Sequence, residues 1–191
     1  MIAWRSIKDP NIVTPGTTVL AFWREAGEQG RWFDKDPEFD RVFRERFLDL
    51  HMEVAAREHD GWIASPEGAL ALLILTDQFP RNAFRDTARM YATDPLARLY
   101  ARQALDAGHM EWVDQGLRLF FCLPFAHSED IADQNISVAL NGQLGQPWLD
   151  HARGHRDIIR RFGRFPHRNP MVGRVTTSEE AEFLKGGGFQ G

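Results

Sequence analysis

Apolar positions recur along the chain at spacings of three and four, and no stretch of four to eight residues alternates apolar with polar as a strand would. The pattern predicts an all-α chain. Pro15 followed by Val19, Leu20, Phe22 and Trp23 marks a first helix ending near Gly27. Asp36-Pro37 supplies an N-cap and a proline at the first helical position, and Phe39, Val42, Phe43, Phe47, Leu50 and Val54 continue one apolar stripe. Ser65-Pro66-Glu67 repeats that start before the run Ala69 to Leu75, which is apolar on every side and therefore predicted as the buried central helix. Further helices are expected from Thr93-Asp94-Pro95 to Gly108, from Gln115 to about Pro124, from a Ser128 cap to about Leu140, and from Trp148 to about Phe162. Thr177 and Glu180 have capping-box spacing for a last helix to about Leu184. These seven or eight helices read as one domain over 1–191, with an N-terminal arm at 1–15 and a flexible glycine-rich tail at 186–191. Short connections favour layers of antiparallel helical hairpins, although no strict repeat of about 34 residues can be aligned.

Charge and composition narrow the function classes. The net charge is -4, and no basic stripe with interleaved aromatics occurs, which argues against nucleic-acid binding. The longest apolar runs, Ala69 to Leu75 and Leu119 to Ala126, are far short of a membrane span of about 18 residues. The first ten residues place charges where a secretory signal has its apolar core, and Cys122 stands alone, so a reducing cytoplasm is expected. Of 23 basic residues, 20 are arginines. Codon bias accounts for such a ratio, as does a demand for planar guanidinium groups that grip carboxylate or phosphate.

Three polar clusters adjoin apolar helices. Asp77-Gln78-Phe79-Pro80-Arg81-Asn82 follows the central run, and a carboxylate reached from such a core requires a partner. In the second, His127 precedes Ser128, Glu129 and Asp130, while Asp130, Asp133 and Gln134 share one helical face. The third, His155 to Asn169, is rich in donors: Arg156, Arg164, His167, Arg168 and Asn169, with Arg161 and Arg164 on the Asp157 face. Acceptors of the first two match donors of the third, so the three are expected to meet. Gln78-Phe79-Pro80-Arg81-Asn82 also echoes Arg164 to Asn169, and the residue before proline is pushed out of the helical region. Phe79 and Phe165 are accordingly expected to end their helices and turn a ring inward.

One reading makes the convergence a structural ion-pair network. Another makes it a pocket in which Arg81, Arg164 or Arg168 receives an anion. His127 or His155 could then transfer protons as general base, with Asp157 or Asp130 fixing the imidazole. His151 and His155 lie four apart as metal ligands can, but lack the Glu of His-Glu-x-x-His, so no metal or other cofactor is expected. Cys122, between Phe121 and Leu123, reads as core rather than nucleophile. Trp23, Trp32, Trp62, Trp112 and Trp148 read as core or groove-lining anchors.

The segments Phe22-Trp23, Leu75 to Asn82, Leu123-Pro124-Phe125-Ala126-His127-Ser128-Glu129-Asp130 and His155 to Asn169 together resemble the bacterial domain-of-unknown-function 924 family, from about Val19 to Leu184. The resemblance implies a tetratricopeptide-like, all-helical fold and no defined activity. The chain departs from the family pattern at Ala21, where an acidic residue usually precedes Phe-Trp, and at Thr76, where leucine is common. The combined expectation is a module that binds a small anionic ligand or partner peptide. Arg81 and Arg168 would supply the contacts, oriented by Asp77, Glu129 and Asp130. A small enzyme and a ligand-free scaffold are the alternatives, and the sequence is silent on oligomeric state.

Overall fold

The computed structural model describes residues 14–191, so most of the expected N-terminal arm lies outside the described residues. Within them no strand forms. The α-helices are α1 (Pro15–Glu28), α2 (Pro37–Ala55), α3 (Pro66–Leu73), α4 (Phe79–Ala83), α5 (Asp94–Asp106), α6 (Leu119–Ala126), α7 (Ile131–Leu144), α8 (Trp148–Phe162) and α9 (Ser178–Lys185). A π-helical turn, Ile74–Gln78, joins α3 to α4, so those two form one rod and the described chain has eight helical bodies.

Local chemistry explains most boundaries. Asp36 accepts from the backbone N–H groups of Glu38 and Phe39, Ser65 accepts from Gly68, and Thr177 with Glu180 closes a reciprocal capping box. Gly163 ends α8 with φ of 68°, a conformation that glycine adopts without side-chain strain. One cap differs from expectation. Asp130, not Ser128, opens α7 by accepting from Ala132 and Asp133, while the Ser128 hydroxyl donates to Asp133 Oδ2 at 2.7 Å.

The expected helix end at Phe79 is also corrected, because the chain continues straight through Phe79-Pro80 into α4. The π turn widens the helix there, with Phe79 N–H donating five residues back to Ile74. Proline contributes no N–H, and the carbonyls about a turn earlier find other donors. His51 Nδ1 donates to Leu75 O at 2.9 Å and Thr93 Oγ1 to Thr76 O at 2.6 Å. Phe165 is extended and buried, but it does not end its helix as expected, because Gly163 caps α8 after Phe162.

The α3 rod is the centre of the main core. Leu70, Leu72, Leu73, Ile74 and Leu75 are fully buried, each contributing about 1.5–3 kcal/mol by leaving water. Helices α1, α5 and α6 pack on α3, and α2 packs on α4. Helix α7 lies between α6 and α8, carrying α8 beside the main core. A second, smaller cluster forms from Ile158, Ile159 and Phe165, with Phe162 and Phe183 against it. No helix among the described residues is long and apolar enough to cross a membrane.

Candidate functional site

The π turn sets the floor of the site. Asp77, 1% exposed, accepts from Gln78 Nε2 at 2.6 Å and from His127 Nδ1 at 2.8 Å, and Arg81 Nη1 lies 3.3 Å from its Oδ1. Burial alone would raise the proton affinity of this carboxyl, but Arg81 and His127 outweigh it and hold Asp77 ionised, well below the usual carboxylate range. Arg81 is fixed from its other side by Asp94 through hydrogen bonds of 2.9 and 3.2 Å. With Nδ1–H donating to Asp77, His127 carries its lone pair on Nε2. That atom has no hydrogen-bond partner among the described residues and remains open to the adjoining cavity. Burial, reinforced by Arg81, depresses the basicity of His127 against the pull of Asp77.

Arg168, 8% exposed, bridges this floor to the segment after α8. Its guanidinium lies between the rings of Tyr91 and Phe165, 4.5 and 4.6 Å from their centroids. Its Nη2 donates to the backbone O of His127 at 2.9 Å, and Nη1 stands 3.6 Å from Asp94. Its Nε–H is buried without a partner, as is Nδ1 of both His155 and His167. Burial pushes His155 down to about 3 and His167 to about 4, so both are neutral near pH 7.

These groups surround a cavity of about 440 Å³. Its lining presents Lys35, Arg81, Arg85 and Arg168, with His127, His151, His155 and His167, and no Asp or Glu side chain among the described residues; Gly191, the last residue, also lines it, against His167. Asp40, Asp77 and Asp94, which hold Arg85 and Arg81, stand behind the lining. The lining also has apolar members: Trp32, Phe33, Met90, Leu119, Leu123 and Trp148. Phe189 lies at the edge, its ring 4.6 Å from that of His155. A neighbouring depression of about 420 Å³ shares His151, His155 and Phe189 but is more open and carries Asp150 and Asp157.

Of the residues singled out in the sequence, Gln78, Arg81, Asn82, His127, His155, His167 and Arg168 line the cavity, with Asp77 directly behind His127. The others are engaged elsewhere. Glu129 binds Arg174 and the backbone N–H of Phe165, rather than orienting Arg168. Asp130 caps α7 instead of touching a guanidinium or imidazole, and Asp133 pairs with Arg98 and Arg102 of α5. Arg164 leaves the Asp157 face because Gly163 ends the helix first; it is held by Glu180, as is Asn169. Asp157 is exposed and pairs with Arg160, so it fixes no imidazole, while Arg156 lies outside the cavity lining. Cys122 is buried, its thiol pushed up to about 12. No group of three or more potential metal ligands occurs among the described residues.

The sequence names Trp32 and Trp148 as core or groove-lining anchors, and both line the cavity, but it does not single out Phe33 or the Asp94–Tyr91 side of the arginine network. Trp32 and Phe33 lie in the loop between α1 and α2 beside Lys35, a pairing of aromatics with a cation that was visible but outside any periodic segment. Asp94 had been assigned only to the first turn of α5.

A family model described as "Bacterial protein of unknown function (DUF924)" matches residues 19–188. The chain is also similar to a solved structure, that of the protein of unknown function ATU0120 from Agrobacterium tumefaciens. The two share 53% identity over 90% of this chain and 97% of the other, with a TM-score of 0.87. No curated protein matches the sequence.

Proposed function

We propose, for a chain that belongs to the DUF924 family of bacterial proteins of unknown function, that it binds a small anionic molecule bearing an apolar or aromatic body. One observation carries this reading: four cationic side chains and no Asp or Glu side chain of the described residues line a cavity that Trp32, Phe33 and Trp148 also line. A carboxylate or phosphate entering there meets charge-assisted donors, while the rest of the molecule leaves water against the aromatic side chains. Arg168 is the central contact, since its guanidinium is held in plane by two rings and keeps an unpartnered N–H. A partner peptide with an acidic and an aromatic side chain is a second reading, favoured by the seating of the chain's own Phe189 beside His155. We place the protein in the cytoplasm, consistent with a single buried free cysteine.

Calorimetric titration with benzoate, 4-phenylbutyrate and inorganic phosphate tests the reading. The aryl carboxylates are expected to bind more tightly than phosphate. Arg168→Ala is expected to weaken them about 10- to 100-fold, the worth of a hydrogen bond to a charged group. Equal affinity in wild type and variant contradicts the role of Arg168.

A further inference from the structure

Resting on the anion-binding reading of the same cavity, we propose that His127 is a general base that activates water, making the protein a hydrolase of small carboxylic esters that carry a negative charge. The argument starts from what the Asp77 network leaves unused. Both Asp77 oxygens are occupied, by Gln78 at one and His127 at the other, and Arg81 is held by Asp94. His127 Nε2 has no hydrogen-bond partner among the described residues, and its ring is part of the cavity lining. A carboxylate on one imidazole nitrogen and an open lone pair on the other define an oriented base. The depressed basicity of His127 keeps that lone pair free at neutral pH.

The surroundings select water as the nucleophile and acyl transfer as the chemistry. The lining contains no serine, threonine or cysteine among the described residues, so the aliphatic hydroxyl and thiol nucleophiles of acyl-enzyme chemistry are missing from it, and water is the nucleophile assigned to His127. Arg168, tied to the backbone of His127 itself, keeps the substrate's carboxylate beside the base, and the cations Arg81, Arg85 and Lys35 of the same lining supply the positive charge toward which a carbonyl oxygen becomes negative. In the step, water gives a proton to Nε2 as its oxygen bonds to the ester carbonyl carbon, and the carbonyl π pair moves onto oxygen. Collapse re-forms the C=O bond and breaks the bond to the leaving oxygen, which takes the proton from Nε2. One water is consumed, acid and alcohol are released, and the base is regenerated. Asp77 is a positioning residue that holds the tautomer and stabilises the transient imidazolium.

The test uses 4-acetoxybenzoate as substrate and 4-acetamidobenzoate as its hydrolysis-resistant analogue, with the full chain. Wild type is expected to hydrolyse the ester saturably above the buffer rate. His127→Gln is expected to lose at least about 100-fold in kcat, within the usual range for a general base, with unchanged affinity for the amide. Asp77→Asn is expected to lower kcat, normalised to the folded fraction measured by circular dichroism, and to leave KM unchanged. Because His127 supports buried Asp77, carbethoxylation of the wild type supplies a measurement free of folding effects. Nε2 attacks diethyl pyrocarbonate and expels ethyl carbonate, so labelling of His127 should proceed in step with loss of hydrolysis and be slowed by 4-acetamidobenzoate. If the amide binds but the ester decays no faster than in buffer, or equally fast in His127→Gln, the hydrolase proposal falls and the binding reading stands. If neither probe binds, both fall together. Hydrolysis that survives complete labelling of His127 also overturns the proposal.

Discussion

His155 and His167 show at the scale of single residues how the cavity is tuned. Burial depresses both imidazoles, to about 3 and about 4, whereas the unfolded chain protonates them near pH 6.5. Below pH 6.5 the unfolded state therefore binds more protons than the folded state, and stability is lost as pH falls through the window down to about 4. Each imidazole adds up to about 1.4 kcal/mol of loss per pH unit in that window. Urea unfolding at pH 7 and pH 5 should show a clear drop for wild type and a smaller one for the double variant His155→Gln, His167→Gln; equal drops would contradict this account. The need of Asp77 for a partner was legible in the sequence, because a carboxylate at the end of a fully apolar run has few physical options. Its pairing with an imidazole was not: His127 lies 50 residues away, and the sequence pointed to Asp130 or Asp157 as the carboxylate that fixes an imidazole, whereas a helix cap and an exposed ion pair engage those two.

Helix starts were legible at the scale of elements because each is written in adjacent residues: Asp36-Pro37, Ser65-Pro66 and Thr177 to Glu180 all form the caps their spacing implies. The π turn was not, since its stability depends on donors from other elements. Pro80 reads locally as a stop, and only His51 on α2 and Thr93 before α5 make continuation possible by satisfying Leu75 and Thr76. Thr93→Val, close in shape but unable to donate, leaves a buried carbonyl unmet and should cost about 1–2 kcal/mol in unfolding free energy. A cost indistinguishable from zero would mean that the turn is held by packing alone. The consequence reaches the site, because this turn aims Asp77 at His127 and starts the helix that carries Arg81.

Two unequal cores meet across one cavity at the scale of the whole molecule, and cationic and aromatic groups line it together. The elements around the α3-centred core supply Arg81, His127, Trp32, Met90 and Leu123, while α8 and the segment behind it supply Trp148, His155, His167 and Arg168. Hydrophobic periodicity announced the helices but could not reveal that cations face the cavity while their carboxylates stand behind it, a distribution set by tertiary packing. The central claim, that this cavity receives a small anion, is tested most directly by following all seven imidazoles by nuclear magnetic resonance during titration with 4-acetamidobenzoate. His127, His151, His155 and His167 should shift together along one binding curve while His51, His59 and His109, which lie outside the cavity, stay in place. Unchanged cavity resonances at saturating probe, or shifts confined to the outer three, would contradict the account.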